Sequence, residues 1–351
     1  MQKQEFLDII STIPAEEWES SLAIGKFKDL RILKVMTRFF SFVARCKVTG
    51  SEGSKILFIK GFRNLKNRPQ EVLAQKLIKD YEASKFWYQH FGQHTEFAVV
   101  KPVLAIPEKL ITASEEARGE NLYQLILENA RFYPSADKMA VLNKQMHKVG
   151  EWLQYKQSIL AIEGETYSIE ELVDYMDVRF KILLEDSRRR FPADYRRKIL
   201  NFIEYNRPAL TAAELTVTTN HSDFNPGNIL IDNDTVTVLD FGRLVSGSYL
   251  LDVCKLHFQL QLLTFKPQYR PSVIGELQKS LLAGFGNPDA DDLRMFRFLS
   301  VRNILTHLTS VTHFWRNGFA ERQYNLWVLR QELKLLDSIL RDKKNVQVKG
   351  V

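Results

Sequence analysis

Between residues 220 and 242 the chain reads NHSDFNPGNILIDNDTVTVLDFG. Three of its side chains, Asp223, Asn228 and Asp240, offer two carboxylates and an amide oxygen. These are hard ligands, suited to Mg²⁺ bridging phosphate oxygens and poorly suited to zinc. A carboxylate that is not engaged by the metal can take the proton of an attacking hydroxyl. Between these groups the pattern is strand-like. An apolar run, Ile229-Leu230-Ile231, is followed by Asp232-Asn233-Asp234, small polar residues that tolerate positive φ. The alternating run Thr235-Val236-Thr237-Val238-Leu239 comes next. That order predicts a β-hairpin with one acid before it and another at its far end. A hairpin returns its outer ends to one place, so Asp223, Asn228 and Asp240 are expected to meet. In phosphoryl transfer the protein mainly positions groups and neutralises charge, and a base, two metal-holding side chains and a cationic clamp are the minimum parts. A plain polar hairpin with surface acids is the alternative, and the spacing argues against it.

His221-x-Asp223-x-x-x-x-Asn228, followed by Leu239-Asp240-Phe241-Gly242, resembles the aminoglycoside phosphotransferase and choline kinase-like family of small-molecule kinases. The chain has Ser222 where that family usually has Gly, and Asn225 where it commonly has His. The resemblance implies an α+β, two-lobed protein-kinase-like fold, with a small antiparallel-sheet N-terminal lobe and a mainly helical C-terminal lobe. It implies ATP and Mg²⁺ as cofactors, Asp223 as catalytic base, and Asn228 and Asp240 as Mg²⁺ ligands. His221 would be a buried member of the catalytic loop, bracing it. Lys60 becomes the candidate for pairing the nucleotide α- and β-phosphates. Glu82 stands where the family has the helix glutamate that holds this lysine. Glu71 competes, but Glu82 lies within an apolar face, where a charge wants a partner. Asp252 matches an acid that relatives use to brace the catalytic loop by accepting backbone hydrogen bonds.

The rest of the chain must position these groups. Short helices are expected at 3–11 and 14–20, and three antiparallel strands from residue 31 to Lys60. The turn near Thr37-Arg38-Phe39 lacks the glycine that lets backbone amides approach phosphates. Thr37 or Ser41 is a substitute hydroxyl there, and Arg38 would add charge. Residues 69–89 read as a helix. Two further strands are expected at 97–100 and 109–112. Residues 113–119, including Ser114, are expected to form the hinge where adenine meets backbone groups. The boundary between lobes falls at 113/114, with the catalytic hairpin at 220–242 inside the second. Ser168-x-x-Glu171 is a capping box for a helix running to about residue 190. Helices are expected at 272–286, 290–318 and 320–341; the resemblance implies that this region shapes the acceptor pocket, with Arg294, Arg297, Arg302, His307, His313, Trp315, Arg316 and Trp327.

Composition narrows the setting. The 351 residues are 45% hydrophobic and 26% charged, enough material for two domains or lobes. No apolar run reaches the roughly 20 residues of a membrane span. The two cysteines, Cys46 and Cys254, fit reduced core thiols, and the amino terminus is a poor signal peptide, so a cytoplasmic location is expected. Net charge is +7, and the excess lies in residues 255–351, partly in a basic tail. No nucleic-acid-reading module accompanies it. Arginines with aromatics suit a sugar or an anionic glycan or metabolite better than a polycation, so a small-molecule or glycan acceptor is expected beside the nucleotide. Peripheral contact with anionic lipid, through clusters such as Arg188-Arg189-Arg190, stays open, with a solvated helix end preferred. The rival readings are an antibiotic or choline-type kinase and, from another class, a pseudokinase serving as a scaffold. The short stretch between Asp240 and Asp252, without the Ala-Pro-Glu closure of a protein-kinase activation segment, points away from a polypeptide acceptor.

Overall fold

Two short helices, α1 (Lys3–Ser11) and α2 (Ala15–Ser21), open the chain, and three long strands follow: β1 (Phe27–Thr37), β2 (Ser41–Gly50) and β3 (Ser54–Phe62). Period-two alternation sends Ala44, Cys46 and Val48 of β2 and Leu57 and Ile59 of β3 to one face, where all are buried. They pack with Phe6, Ile10 and Trp18 of the two helices. The opposite face of β3 carries Phe58, Lys60 and Phe62. Next come α3 (Gln70–Phe91), β4 (Phe97–Val99), β5 (Pro102–Ile106), β6 (Ile111–Glu115), β7 (Glu120–Asn121) and α4 (Leu122–Asn129). The remainder is α5 (Ala136–Leu160), β8 (Ala161–Thr166), α6 (Ile169–Leu184), α7 (Asp194–Asn206), β9 (Thr216–Asn220), β10 (Ile229–Asp232), β11 (Thr235–Val238) and β12 (Val245–Ser248). Four helices end the chain: α8 (Leu251–Leu263), α9 (Pro271–Gly284), α10 (Arg294–Val311) and α11 (Phe319–Arg341). This computed structural model describes residues 1–341 except Lys66, Gln93 and Arg243; the basic tail at 342–351 lies outside them.

Contacts divide the chain into two compact units: Met1–Leu125 with His221–Val245, and Ile126–Asn220 with Ser246–Val351. The division differs from a single cut at 113/114, because the hairpin expected in the second lobe groups with the first unit. The reason is pairing. β11 runs parallel to β4, and β10 antiparallel to both β11 and β7, giving a sheet of order β4-β11-β10-β7. The other sheet of this unit has the order β1-β2-β3-β6-β5. β5 was not anticipated, and residues 107–109 form a single 3₁₀ turn before β6. Gly61 permits the close seat of Phe6 on β3: a Cβ there would overlap the Phe6 ring and the Met1 sulfur.

The second unit is mainly helical. α5 and α9 approach closely, since a Cβ on Gly150 or Gly284 would strike the facing helix backbone. A small sheet, β12-β9-β8, completes it. Ser168 caps α6 by accepting from the Glu171 amide at 3.2 Å. The helix stops at Leu184 rather than near residue 190, and Arg188 and Arg189 lie on a 3₁₀ turn. No described helix is long and apolar enough to cross a membrane.

Candidate functional site

The hairpin forms as its spacing requires, with Ile229 opposite Val238 and Asp232 opposite Thr235. Asn233 takes the turn at φ 52°. At the open end Leu239 N–H donates to Asn228 O at 2.9 Å, so Asn228 lies directly across from the residue before Asp240. The Asn228 side-chain amide donates to Asp223 O at 3.1 Å and to Asp223 Oδ2 at 3.4 Å. The Asn225 amide also donates to Asp223 O, at 2.9 Å.

His221 is fully buried and links the loop to the strand. Its Nδ1 accepts from the Asp223 N–H at 3.2 Å, and its Nε2 lies 2.8 Å from Leu239 O. A backbone N–H can only donate, so Nδ1 is the acceptor and Nε2–H donates to the carbonyl. The ring fixes the two acid-bearing segments to one another. Its far side meets Phe241 at 4.5 Å, and Phe241 meets Trp87 of α3 at 4.9 Å.

A cavity of about 990 Å³ lies over these groups, and every residue lining it belongs to the first unit. Lys60 projects from the face of β3 opposite the core, between Val43 on β2 and Thr112 on β6. Its Nζ lies 2.7 Å from Asp240 Oδ1. Asp223, Asn228, Ser114 and Arg38 line the same cavity. Ser114 belongs to β6, not to an irregular hinge, opposite Phe58. Burial opposes ionisation of Asp240, but attraction and a hydrogen bond from Lys60 outweigh it and hold its carboxyl below the usual range. Asp240 sits at φ 59° and Ser222 at φ 64°. Both are left-handed, a conformation that costs a non-glycine residue roughly 1–2 kcal/mol.

The expected Lys60–Glu82 pair does not form. Glu82 is 59% exposed and pairs with Lys85 at 3.3 Å, and Glu71 is also outside the cavity lining. The acid of α3 that faces the site is Asp80, 15% exposed and 2.6 Å from Lys76. Burial raises its carboxyl above the ordinary range, and the charges of Lys76, Lys60 and Asp240 all act on it. The helical period gives the reason. Leu77, Asp80, Ser84, Trp87 and Phe91 fall at i+3 and i+4 steps on one stripe, while Glu82 points away from it. The helical spacing of the large apolar residues Leu77, Trp87 and Phe91 is the sequence signal that could have located Asp80. Ser84 Oγ donates to Asp80 O at 3.0 Å and reaches Phe241 O at 3.5 Å.

The glycine-free turn is closed by Arg63. Its Nη1 donates to Arg38 O at 3.0 Å and to Phe39 O at 3.1 Å, and its backbone N–H donates to Phe40 O at 2.9 Å. Phe39 and Phe40 are exposed.

In the second unit, Asp252 is wholly buried and accepts from Lys156 Nζ at 2.8 Å. Lys156 also reaches Asn220 Oδ1 at 3.3 Å. Two arginines of the first basic run have partners within the fold. Arg188 is bound to Asp186 and stacked 4.2 Å over Trp315. Arg189 is buried against Thr309 O and Thr312 Oγ1. Of the residues expected to shape an acceptor pocket, Arg297 pairs with Asp292, Arg302 lies 3.9 Å over the Tyr175 ring and His307 meets Glu332 at 2.5 Å.

Residues 129–293 match the model of the phosphotransferase enzyme family. The span includes Asp223, Asn228 and Asp240 and leaves out Lys60. No curated protein matches the chain in sequence. Among solved structures it is similar to the streptomycin–ATP–APH(2″)-IIa ternary complex, at 12% identity and TM-score 0.55, over 94% of this chain and 97% of that one. A choline/ethanolamine kinase family protein from Mesorhizobium loti gives 14% identity and TM-score 0.54, over 98% and 96%. Amicoumacin kinase hAmiN, in complex with AMP-PNP, Ca²⁺ and Ami, gives 15% and 0.53, over 96% and 94%. The family match is a resemblance to the phosphotransferase enzyme family over that span, and the structures show the protein-kinase-like α+β fold.

Proposed function

We propose, from the match of residues 129–293 to the phosphotransferase enzyme family, that this chain transfers the γ-phosphoryl group of ATP to a hydroxyl of a small molecule. The observation that carries the reading is the convergence on one cavity of Lys60, paired with Asp240 at 2.7 Å, and of Asp223, bonded by the Asn228 amide. Asp223 receives the proton of the acceptor hydroxyl. Asn228 and Asn225 fix the loop so that this carboxylate keeps its orientation. Asn228 and Asp240 supply hard oxygen donors, and the carboxyl of Asp240 is held ionised, so the pair suits a hard divalent cation. A bound Mg²⁺ would neutralise charge on the β- and γ-phosphates. Lys60 attracts the α- and β-phosphates, and Asp80, paired with Lys76 and acted on by the charge of Lys60, is the α3 acid at this site in place of Glu82. Ser114 and Arg38 border the nucleotide; His221 braces the loop without touching it.

The acceptor we infer is a neutral or anionic sugar-containing molecule. Residues 255–351 hold about 15 Lys and Arg against about 8 Asp and Glu, a poor setting for a polycation. A second reading, nucleotide binding without transfer, draws on the closed and glycine-free turn at 37–41. The test is a phosphate-transfer screen with ATP and Mg²⁺ against sugars, glycolipid precursors, amino alcohols and aminoglycosides. Transfer to the first two groups is expected. Transfer to amino alcohols or aminoglycosides alone contradicts the acceptor reading, and none at all, with ATP still bound, favours the second.

A further inference from the structure

In kinases that grip phosphates through a glycine-rich turn, the turn's own amides do part of the holding. Here the turn has no glycine, and the carbonyls of Arg38, Phe39 and Phe40 are all bound by Arg63. Rearranging the turn around a ligand would break three hydrogen bonds, so a triphosphate needs cations from another element. α3 carries one. Lys76 stands one helical turn before Asp80, on the stripe that faces the cavity. Its Nζ lies 5.6 Å from the Phe62 ring centroid, and Lys60 Nζ lies 5.4 Å from the same centroid. The two ammonium groups therefore flank one ring, one tethered to Asp80 at 2.6 Å and the other to Asp240 at 2.7 Å.

We propose that Lys76 is a second phosphate-binding lysine of this site, taking over the share of the polyphosphate that a glycine-rich turn would hold. The proposal rests on the kinase reading of the same cavity and deepens it. Lys60 and Lys76, flanking the Phe62 ring and paired with Asp240 and Asp80, form one network of alternating sign. When a hard cation and a polyphosphate enter, Asp240 has a new partner in the cation and Lys60 is freed toward the phosphates. Lys76 is 57% exposed, so its long side chain can turn from Asp80 to the ligand without unpacking the helix. Asp80, left in a poorly hydrated place, then attracts Lys60. The pair thus exchanges partners, and the site gains a cation where the backbone gives none. Among ligands the site favours those with two or more phosphates over a bare nucleoside, because only the former reach both ammonium groups.

The experiment measures dissociation constants by calorimetry for MgATP and for adenosine, on the full chain and on Lys76→Met, Lys76→Arg and Lys85→Met. Lys85 pairs with Glu82 away from the cavity and serves as control. Losing one charge-assisted contact should weaken MgATP about tenfold in Lys76→Met. Adenosine affinity should be unchanged there, Lys76→Arg should recover most of the loss, and Lys85→Met should match the full chain. Unchanged MgATP affinity in Lys76→Met, or an equal loss for MgATP and adenosine, overturns the proposal while leaving the kinase reading in place. Absence of MgATP binding to the unaltered chain overturns both.

Discussion

Asp80 and Glu82 stand two residues apart on α3, about 200° around the helix axis, and only Asp80 is turned to the cavity. An acid at 15% exposure beside two lysines holds its partners far better than one at 59% exposure. Asp80→Asn should lower kcat/KM for ATP by about 10- to 100-fold, in line with the loss of a partly desolvated ion pair. Glu82→Gln should leave it within about twofold. Steady-state kinetics at varied ATP separates the two, and equal losses would contradict the assignment to Asp80. At this scale the sequence made the hairpin residues legible, because Asp223, Asn228 and Asp240 are spaced by strands whose geometry is fixed. It did not separate the helix acids. Glu82 reads as lying within an apolar face, but burial on α3 follows Leu77, Ala83, Trp87 and Phe91 instead. Ser222, at φ 64° where the resembling family usually has glycine, gave no sequence signal of its own strain.

At the scale of elements, alternation in β2 and β3 and the hairpin at 229–238 were readable because period two and turn chemistry are local. β5 escaped because its pairing with β6 is set by a 3₁₀ turn at Pro107–Lys109 and a left-handed Leu110, which carry no strand signature. The membership of the hairpin was hidden for a related reason: the parallel partner β4 lies over a hundred residues earlier in the chain. Helix contacts depend on glycines whose role only packing reveals. Gly284 of α9 lies against His147 O of α5, leaving no room for a Cβ, whereas Gly275 of the same helix faces open space. Gly284→Ala should therefore destabilise by about 2 kcal/mol through overpacking. Gly275→Ala should be neutral or stabilising by about 0.5–1 kcal/mol. Urea unfolding midpoints decide it, and similar shifts for both would contradict the close helix contact.

Over the whole molecule, charge and protonation set how the fold answers to pH. Burial of His257 on α8 pulls its pKa down from 6.5 to about 4. Folded and unfolded chains bind equal protons at this residue above pH 6.5. Between there and about 4 the unfolded chain binds more, so stability falls as pH drops through that window and levels off below it. The contribution is up to about 3 kcal/mol. His257→Gln should flatten the melting temperature across the same window, and an unchanged slope would show that other groups govern it.

The proposed role of Asp223 is that of base in a phosphoryl transfer for which Lys60 and Asp240 hold the nucleotide. Its most direct measurement is single-turnover transfer of labelled γ-phosphate from ATP by Asp223→Asn, using the acceptor that the unaltered chain modifies fastest. A rate lower by roughly 10²–10⁴-fold is expected, with ATP affinity little changed. Transfer at the unaltered rate would contradict it.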